Sequence, residues 1–101
     1  MHTQVRNRIT MLGEEVVAEV RGSEPGRRGW MMVRRTDDGH LMLVEFEHDA
    51  ALDTDSYLSP DDVLNRRRSD FDTLDELLAS LDARGVDTDG FDAPWKTDYP
   101  L

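Results

Sequence analysis

Histidines are the first candidates for chemistry in this chain, because imidazole binds metals and transfers protons near neutral pH. His40 and His48 lie eight residues apart on one predicted strand, a span of about 27 Å if the strand is straight. They therefore cannot share a metal ion without a sharp bend, and His2 lies far away near the start. Because no cysteine is present to complete a zinc site, the sequence predicts no metal and no cofactor. We expect all three histidines at the surface.

The segment Asp87-Thr88-Asp89-Gly90 has some of the spacing of a calcium-binding loop. When Gly90 is aligned with the sixth position of such a loop, Gly85 falls at the first position and Lys96 at the twelfth. Both of those positions require carboxylates, so the segment predicts an ordinary turn stabilised by aspartate.

Motifs for nucleophilic or phosphoryl-transfer catalysis are absent from the sequence. It contains no Gly-x-Ser-x-Gly elbow and no glycine-rich phosphate loop. Carboxylates are so numerous that no pair stands out as an acid and base, and such a pair needs a pocket that shifts its pKa values. We therefore expect a protein without catalytic activity.

Arginine clusters are the main contrast to an otherwise acidic composition. The longest is Arg66-Arg67-Arg68, and guanidinium groups bind phosphates and carboxylates through paired hydrogen bonds. The run could form an anion-binding site, or each arginine could pair with a nearby aspartate such as Asp70. A nucleic-acid partner is not expected, because such proteins are usually basic and this chain has a pI of about 4.5.

The net charge of −10 has two explanations. Surface carboxylates could complement a basic partner, or they could keep the protein soluble in concentrated salt, as in proteins of salt-loving microbes. Because the acids are spread along the whole chain and a single lysine is present beside 11 arginines, the composition favours salt adaptation.

The 101 residues predict a single domain. No apolar run approaches the length of a membrane span, and the first residues lack the apolar core of a signal peptide, so we expect a cytoplasmic protein without a membrane partner. The sequence divides into an N-terminal segment, a β-meander, a helical region and an aromatic tail, over residues 1–14, 15–48, 59–85 and 86–101.

A β-hairpin is the central element of the predicted fold. Its two strands are apolar, and they are joined by Asp37-Asp38-Gly39, in which glycine suits the left-handed position of a three-residue loop. This loop places Trp30 opposite Phe46 and Met32 opposite Val44, so these bulky residues share one face of the sheet.

The remaining elements follow from hydrophobic spacing and cap residues. We expect a short helix to about Leu12 and a strand over 16–21. Ser59 and Pro60 predict the start of a short helix that ends near the arginine run. A second helix is predicted over 70–84, with Ser69 or Asp70 as its cap and a stripe of apolar residues: Phe71, Leu74, Leu77, Leu78 and Leu81.

The predicted fold is therefore α+β, a small three-stranded antiparallel meander with two C-terminal helices packed on one face. We expect the helical stripe to cover the Trp30–Phe46 face. The other face then has no cover, which makes it a candidate surface for a second copy of the chain, unless the N-terminal segment or the aromatic tail lies over it. It consists of Met31, Val33, Leu41 and Leu43.

Three aromatic residues in the tail provide another candidate surface. Phe91, Trp95 and Tyr99 could dock another protein or could fold back over the core. The composition and motifs together favour a protein-interaction module or small subunit without catalysis. Its partner would be another protein or a second copy. The alternatives are an acidic inhibitor or immunity-type protein that masks a basic site, and an anion-binding regulator that uses Arg66–Arg68.

Overall fold

A computed structural model describes residues 1–52 and 59–101 and shows an α+β domain. Its four-stranded antiparallel sheet has the order β1-β2-β3-β4. The strands are β1 (Val16–Arg21), β2 (Arg27–Arg35), β3 (Leu41–Asp49) and β4 (Leu64–Phe71). The helices are α1 (Thr3–Thr10) and α2 (Leu74–Ala83), and short 3₁₀ turns cover Pro60–Asp62, Thr88–Gly90 and Pro94–Lys96.

The predicted hairpin between β2 and β3 is confirmed in position and register. Trp30 pairs with Phe46 and Met32 pairs with Val44. At the turn, the Thr36 amide donates to the His40 carbonyl over 2.8 Å, and Gly39 has φ +86°. The glycine is required there because residues with a Cβ atom rarely adopt this backbone conformation. The predicted β1 is confirmed with its exact bounds.

A fourth strand replaces the short helix that was predicted to begin at Ser59 and end near the arginine run. The helix start signals are real, since Asp62 accepts hydrogen bonds from the Ser59 amide and hydroxyl at 3.0 and 2.9 Å. They produce only one 3₁₀ turn, because Val63 is already extended with ψ 121°. The next residues form β4, because the free backbone groups of β3 need partners.

Helix α2 is shorter than predicted because β4 takes its first residues. Thr73 is the N-cap, not Ser69 or Asp70, and its hydroxyl accepts from the Glu76 amide over 3.2 Å. In the sequence, Gly85 followed by Val86 predicts a glycine-capped helix end. The structure confirms it, with Gly85 at φ +77° and the Val86 amide donating to the Leu81 carbonyl over 3.0 Å.

The main core lies on the opposite face of the sheet from the predicted one. Leu77 and Leu81 of α2 pack there together with Ile9 of α1, so one helix is N-terminal and one is C-terminal, and both cover the same face. The small side chains of Ala18 and Ser69 lie on the same face, opposite Met31 and Leu43. The four residues expected to meet a second copy are therefore buried inside the protein: Met31, Val33, Leu41 and Leu43.

The Trp30–Phe46 face is covered in part by the C-terminal segment. The ring of Tyr99 meets the edges of Trp30 and Phe46 with centroid distances of 5.6 and 5.9 Å. Because the ring is taken out of water, burial raises the pKa of Tyr99 to about 12. The alternating aspartates and small residues of Asp49–Ser56 predict a loop. Most of that segment lies outside the described residues, since only 49–52 are described and Asp49 still belongs to β3.

Candidate functional site

The arginine run lies on β4, at one edge of the sheet. Because side chains alternate along the strand, Arg66 and Arg68 lie on the Trp30–Phe46 face. Arg67 lies on the opposite face, which carries α1 and α2 and is called the helical face below. The three side chains are exposed and do not converge on one pocket. Arg68 pairs with Asp70 at 3.0 Å, and Arg67 approaches Glu45 at 3.4 Å. This divergence weighs against the anion-binding site considered from the sequence.

Glu45 is the most enclosed carboxylate next to this edge. Arg84, at the end of α2, donates two hydrogen bonds to it at 3.2 and 2.5 Å. Burial alone would raise the pKa of Glu45, but the hydrogen bond with Arg84 and the charges of Arg84 and Arg67 outweigh it, and the pKa is lowered. The Glu45–Arg84 ion pair connects the C-terminus of α2 to β3, an inner strand of the sheet.

Acid should therefore weaken the Glu45–Arg84 attachment. A lowered folded-state pKa adds stability above the unfolded value, and this stability is lost as the pH falls through the folded value. We expect the free energy of unfolding to fall on acidification below about pH 4.5, and to fall less steeply in a Glu45→Gln variant. Urea titrations at several pH values measure both slopes, and parallel slopes would contradict the role of this carboxylate.

A surface cleft of about 790 Å³ extends from this pair across Gly29 to the loop after β1. Its polar groups are largely paired with one another. Glu47 accepts from the Ser23 hydroxyl at 2.9 Å and from the side-chain amide (Nδ2) of Asn65 at 2.6 Å. Among residues 1–52 and 59–101, no buried side-chain nitrogen or oxygen lacks a hydrogen-bond partner. No buried polar group in the described residues is therefore left for a ligand of this cleft to satisfy.

His48 was expected at the surface, and that prediction is wrong. The side chain is fully buried, and its Nε2 accepts a hydrogen bond from the Trp30 indole over 3.0 Å. Because an indole N–H can only donate, Nε2 carries no proton, and Nδ1 donates to the Asp49 carbonyl over 3.0 Å. The even spacing of Val44, Phe46 and His48 along β3 was a signal that all three share a buried face. Both ring nitrogens are used in structural hydrogen bonds.

The other histidines and the acidic turn are not brought together into a metal site. His40 is half exposed and lies 3.4 Å from Asp38 and 3.7 Å from Asp72. The Asp87–Gly90 segment forms a 3₁₀ turn in which the Asp87 side chain accepts from the Asp89 amide. In the described part of the chain, no three histidine, aspartate or glutamate side chains are placed to hold a metal ion.

The three tail aromatics occupy different environments. Phe91 is buried in the helical core, and Tyr99 lies on the opposite face of the sheet. Trp95 is 71% exposed, with the Arg8 guanidinium 4.3 Å from its ring centre. The tail thus mostly folds over the domain, and Trp95 remains its single exposed aromatic ring among the three.

The two edge strands of the sheet differ in the backbone pairing on their outer sides. On the outer side of β1, the amide and carbonyl of Asp92 pair with Val17 alone, at 2.9 and 2.8 Å. No other strand formed by the described residues pairs with the outer side of β4. We call residues 66–72 on this side the open edge. Sequence patterns did not reveal it, because charged residues carry little signal for a strand.

Exposed carboxylates occur on several separate elements of the fold. They lie on the hairpin turn (Asp37), on α2 (Asp75 and Asp82), in the segment after α2 (Asp87) and in the tail (Asp98). This distribution favours a role in solvation over a single acidic face for a basic partner.

Salt should therefore stabilise the protein. The Debye length falls from about 10 Å at 0.1 M to about 3 Å at 1 M, which screens repulsion among the surface carboxylates. We expect the melting temperature to rise between about 0.1 and 2 M KCl. A thermal unfolding series in KCl measures this, and a flat or falling melting temperature would contradict salt adaptation.

No helix in the described ranges is long and apolar enough to cross a membrane. Comparisons of the chain with models of protein families, with curated proteins and with solved structures found no match.

Proposed function

We propose that this domain is a non-catalytic protein-interaction module, or a small subunit, that uses the open edge of β4 to pair with an extended segment of a protein chain. The observation that carries the proposal is the difference between the two edges of the sheet. On the β1 edge Asp92 already pairs with Val17, whereas no described residue pairs with the outer backbone donors and acceptors of β4. Addition of a strand to such an edge is a common mode of protein recognition.

The arginines give this edge selectivity. Unprotected edge strands aggregate, and proteins avoid this with charged side chains and bulges. Both devices occur here, since the register between β3 and β4 shifts between Glu45 and Glu47, and Asn65 adopts φ +53° at that point. The three arginines repel positively charged strands and disfavour apolar ones. A segment with carboxylates opposite the arginines would be accepted.

Site-specific photo-cross-linking tests the proposal. A photoreactive residue replaces Arg66 on the open edge, and the matched control carries it at Ala79, an exposed position of α2. After illumination in the native host at its own salt concentration, we expect cross-linked products from position 66 and none from position 79. An absence of products from position 66, or equal products from both positions, would contradict the proposal.

A further inference from the structure

We infer that the segment paired with the open edge is β4 of a second copy, antiparallel, with a two-fold axis at Ser69. This inference rests on the proposed function, since it names the partner of the same edge. The supporting observation is the order of charges around Ser69. Three arginines precede it, and Asp70, Phe71 and Asp72 follow it.

Two-fold pairing about Ser69 brings opposite charges together. Residues equally distant from Ser69 face each other across the two strands, so Arg68 meets Asp70 of the second copy and Arg66 meets Asp72. Each contact occurs twice because of the symmetry. Cross-strand pairs of opposite charge stabilise antiparallel sheets, and like charges directly opposite destabilise them.

The faces of the sheet also agree in this register. Arg68 and Asp70 are partners of Val44 and Met42 and so lie on one face, whereas Arg67 and Phe71 lie on the helical face. The two-fold axis preserves these faces. Charges therefore meet charges on one face, and on the other face Arg67 meets the half-buried ring of Phe71, which suits a cation–π contact.

The side chains are placed to make these contacts. Arg68 and Asp70 form an exposed ion pair at 3.0 Å, with 53% and 55% of their side chains exposed. In the paired edge, the same groups from both copies would form one cluster of four alternating charges. Because a guanidinium carries five N–H donors, each arginine can donate hydrogen bonds to two carboxylates.

Neighbouring registers are disfavoured by the same sequence. An axis at Arg67 would place Arg66 opposite Arg68 and Arg67 opposite itself. An axis at Arg68 would place that arginine opposite itself. Both arrangements bring like charges together, so the axis at Ser69 is favoured over each of them.

Charge reversal at two positions tests the pairing. Sedimentation velocity in about 1 M KCl, where the Debye length is about 3 Å, removes most of the long-range repulsion between two acidic copies. We expect the wild type to dimerise, and Arg68→Asp or Asp70→Arg alone to weaken the dimer by about tenfold or more, because each creates two like-charge contacts. Arg21→Asp is the matched control on the opposite edge strand and should leave the dimer unchanged.

Mixing separates this pairing from any effect within one chain. An Arg68→Asp copy and an Asp70→Arg copy are complementary to each other, so their mixture should form a heterodimer although neither variant pairs well alone. The double variant Arg68→Asp/Asp70→Arg should dimerise like the wild type. A monomeric wild type at millimolar concentration, or folded single variants that fail to associate when mixed, would overturn the inference.

A cysteine at the axis tests the register. Ser69→Cys would place two thiols opposite each other, and Cα distances of about 4.5–5.5 Å across an antiparallel pair permit a disulfide. Because the natural chain has no cysteine, a disulfide-linked dimer after mild oxidation comes only from this position. Ala79→Cys is the matched control and should stay monomeric, and equal dimer formation by the two variants would overturn the register.

The photo-cross-linking result separates this inference from the proposed function. Products that link position 66 to another copy of the chain support both. Products that link it only to a different protein would overturn the inference and support the proposed function. No products would contradict both.

Discussion

Replacing Trp30 with alanine should lower the free energy of unfolding by about 3–5 kcal/mol, because the indole is fully enclosed and its loss leaves a cavity. Only 1% of the residue is exposed, and its ring packs against Tyr99 and lies 5.3 Å from the Arg28 guanidinium. The same substitution removes the single donor to His48 Nε2. Urea unfolding followed by circular dichroism measures the loss.

Two further variants isolate the hydrogen bond from the packing. Trp30→Phe keeps most of the ring but leaves the buried His48 acceptor unpaired, which costs about 1–3 kcal/mol. Adding His48→Leu removes that acceptor, so the double variant should regain much of the stability lost by Trp30→Phe. If the stability losses of Trp30→Phe and of His48→Leu, each measured alone, simply add in the double variant, the hydrogen bond between the indole and the imidazole does not stabilise this face as described.

Leu77→Ala should cost about 2–5 kcal/mol, because Leu77 is completely buried between α2 and the sheet. Leu78 was expected at the centre of the stripe, but it is only partly buried at the border of the core. We therefore expect a smaller loss for Leu78→Ala. Asp82→Ala is the control, and as an exposed substitution on the same helix it should change stability by less than about 0.5 kcal/mol. Equal losses for Leu77 and Asp82 would contradict the orientation of α2.

Local sequence signals were sufficient for the hairpin and for the end of α2. The glycine of the turn and the alternation beside it determine the pairing of Trp30 with Phe46, because a tight turn leaves few registers. Gly85 marks the helix end through its backbone conformation. Both features depend on residues within a few positions of each other, so composition and spacing predict them.

The wrong predictions concern features that depend on contacts between residues far apart in the sequence. Arg66–Arg68 belong to a strand because β3 needs a backbone partner, a requirement that lies outside the segment itself. Both faces of the hairpin are apolar, so the size of the side chains alone could not show which face the helices cover. The helices pack on the face that contains Met31, and the tail covers part of the Trp30–Phe46 face.

The candidate site could be predicted only in part for the same reason. The arginine run was recognised from composition, but its location at a sheet edge depends on the tertiary pairing of β4. The pairing of Asp92 with Val17 on the other edge is a contact between residues far apart in the sequence. Charge order around Ser69 becomes informative only after the strand and its free side are known.

Backbone amide hydrogen exchange tests the use of the open edge most directly. Every second amide of residues 66–72 points away from β3 and should exchange quickly in dilute protein, because nothing described in the rest of the chain pairs with it. In about 1 M KCl, we predict that these amides become protected as the protein concentration rises, whereas exchange in β1 stays constant. Rapid exchange on the β4 edge at every concentration, also in the assembly isolated from the host, would contradict the account.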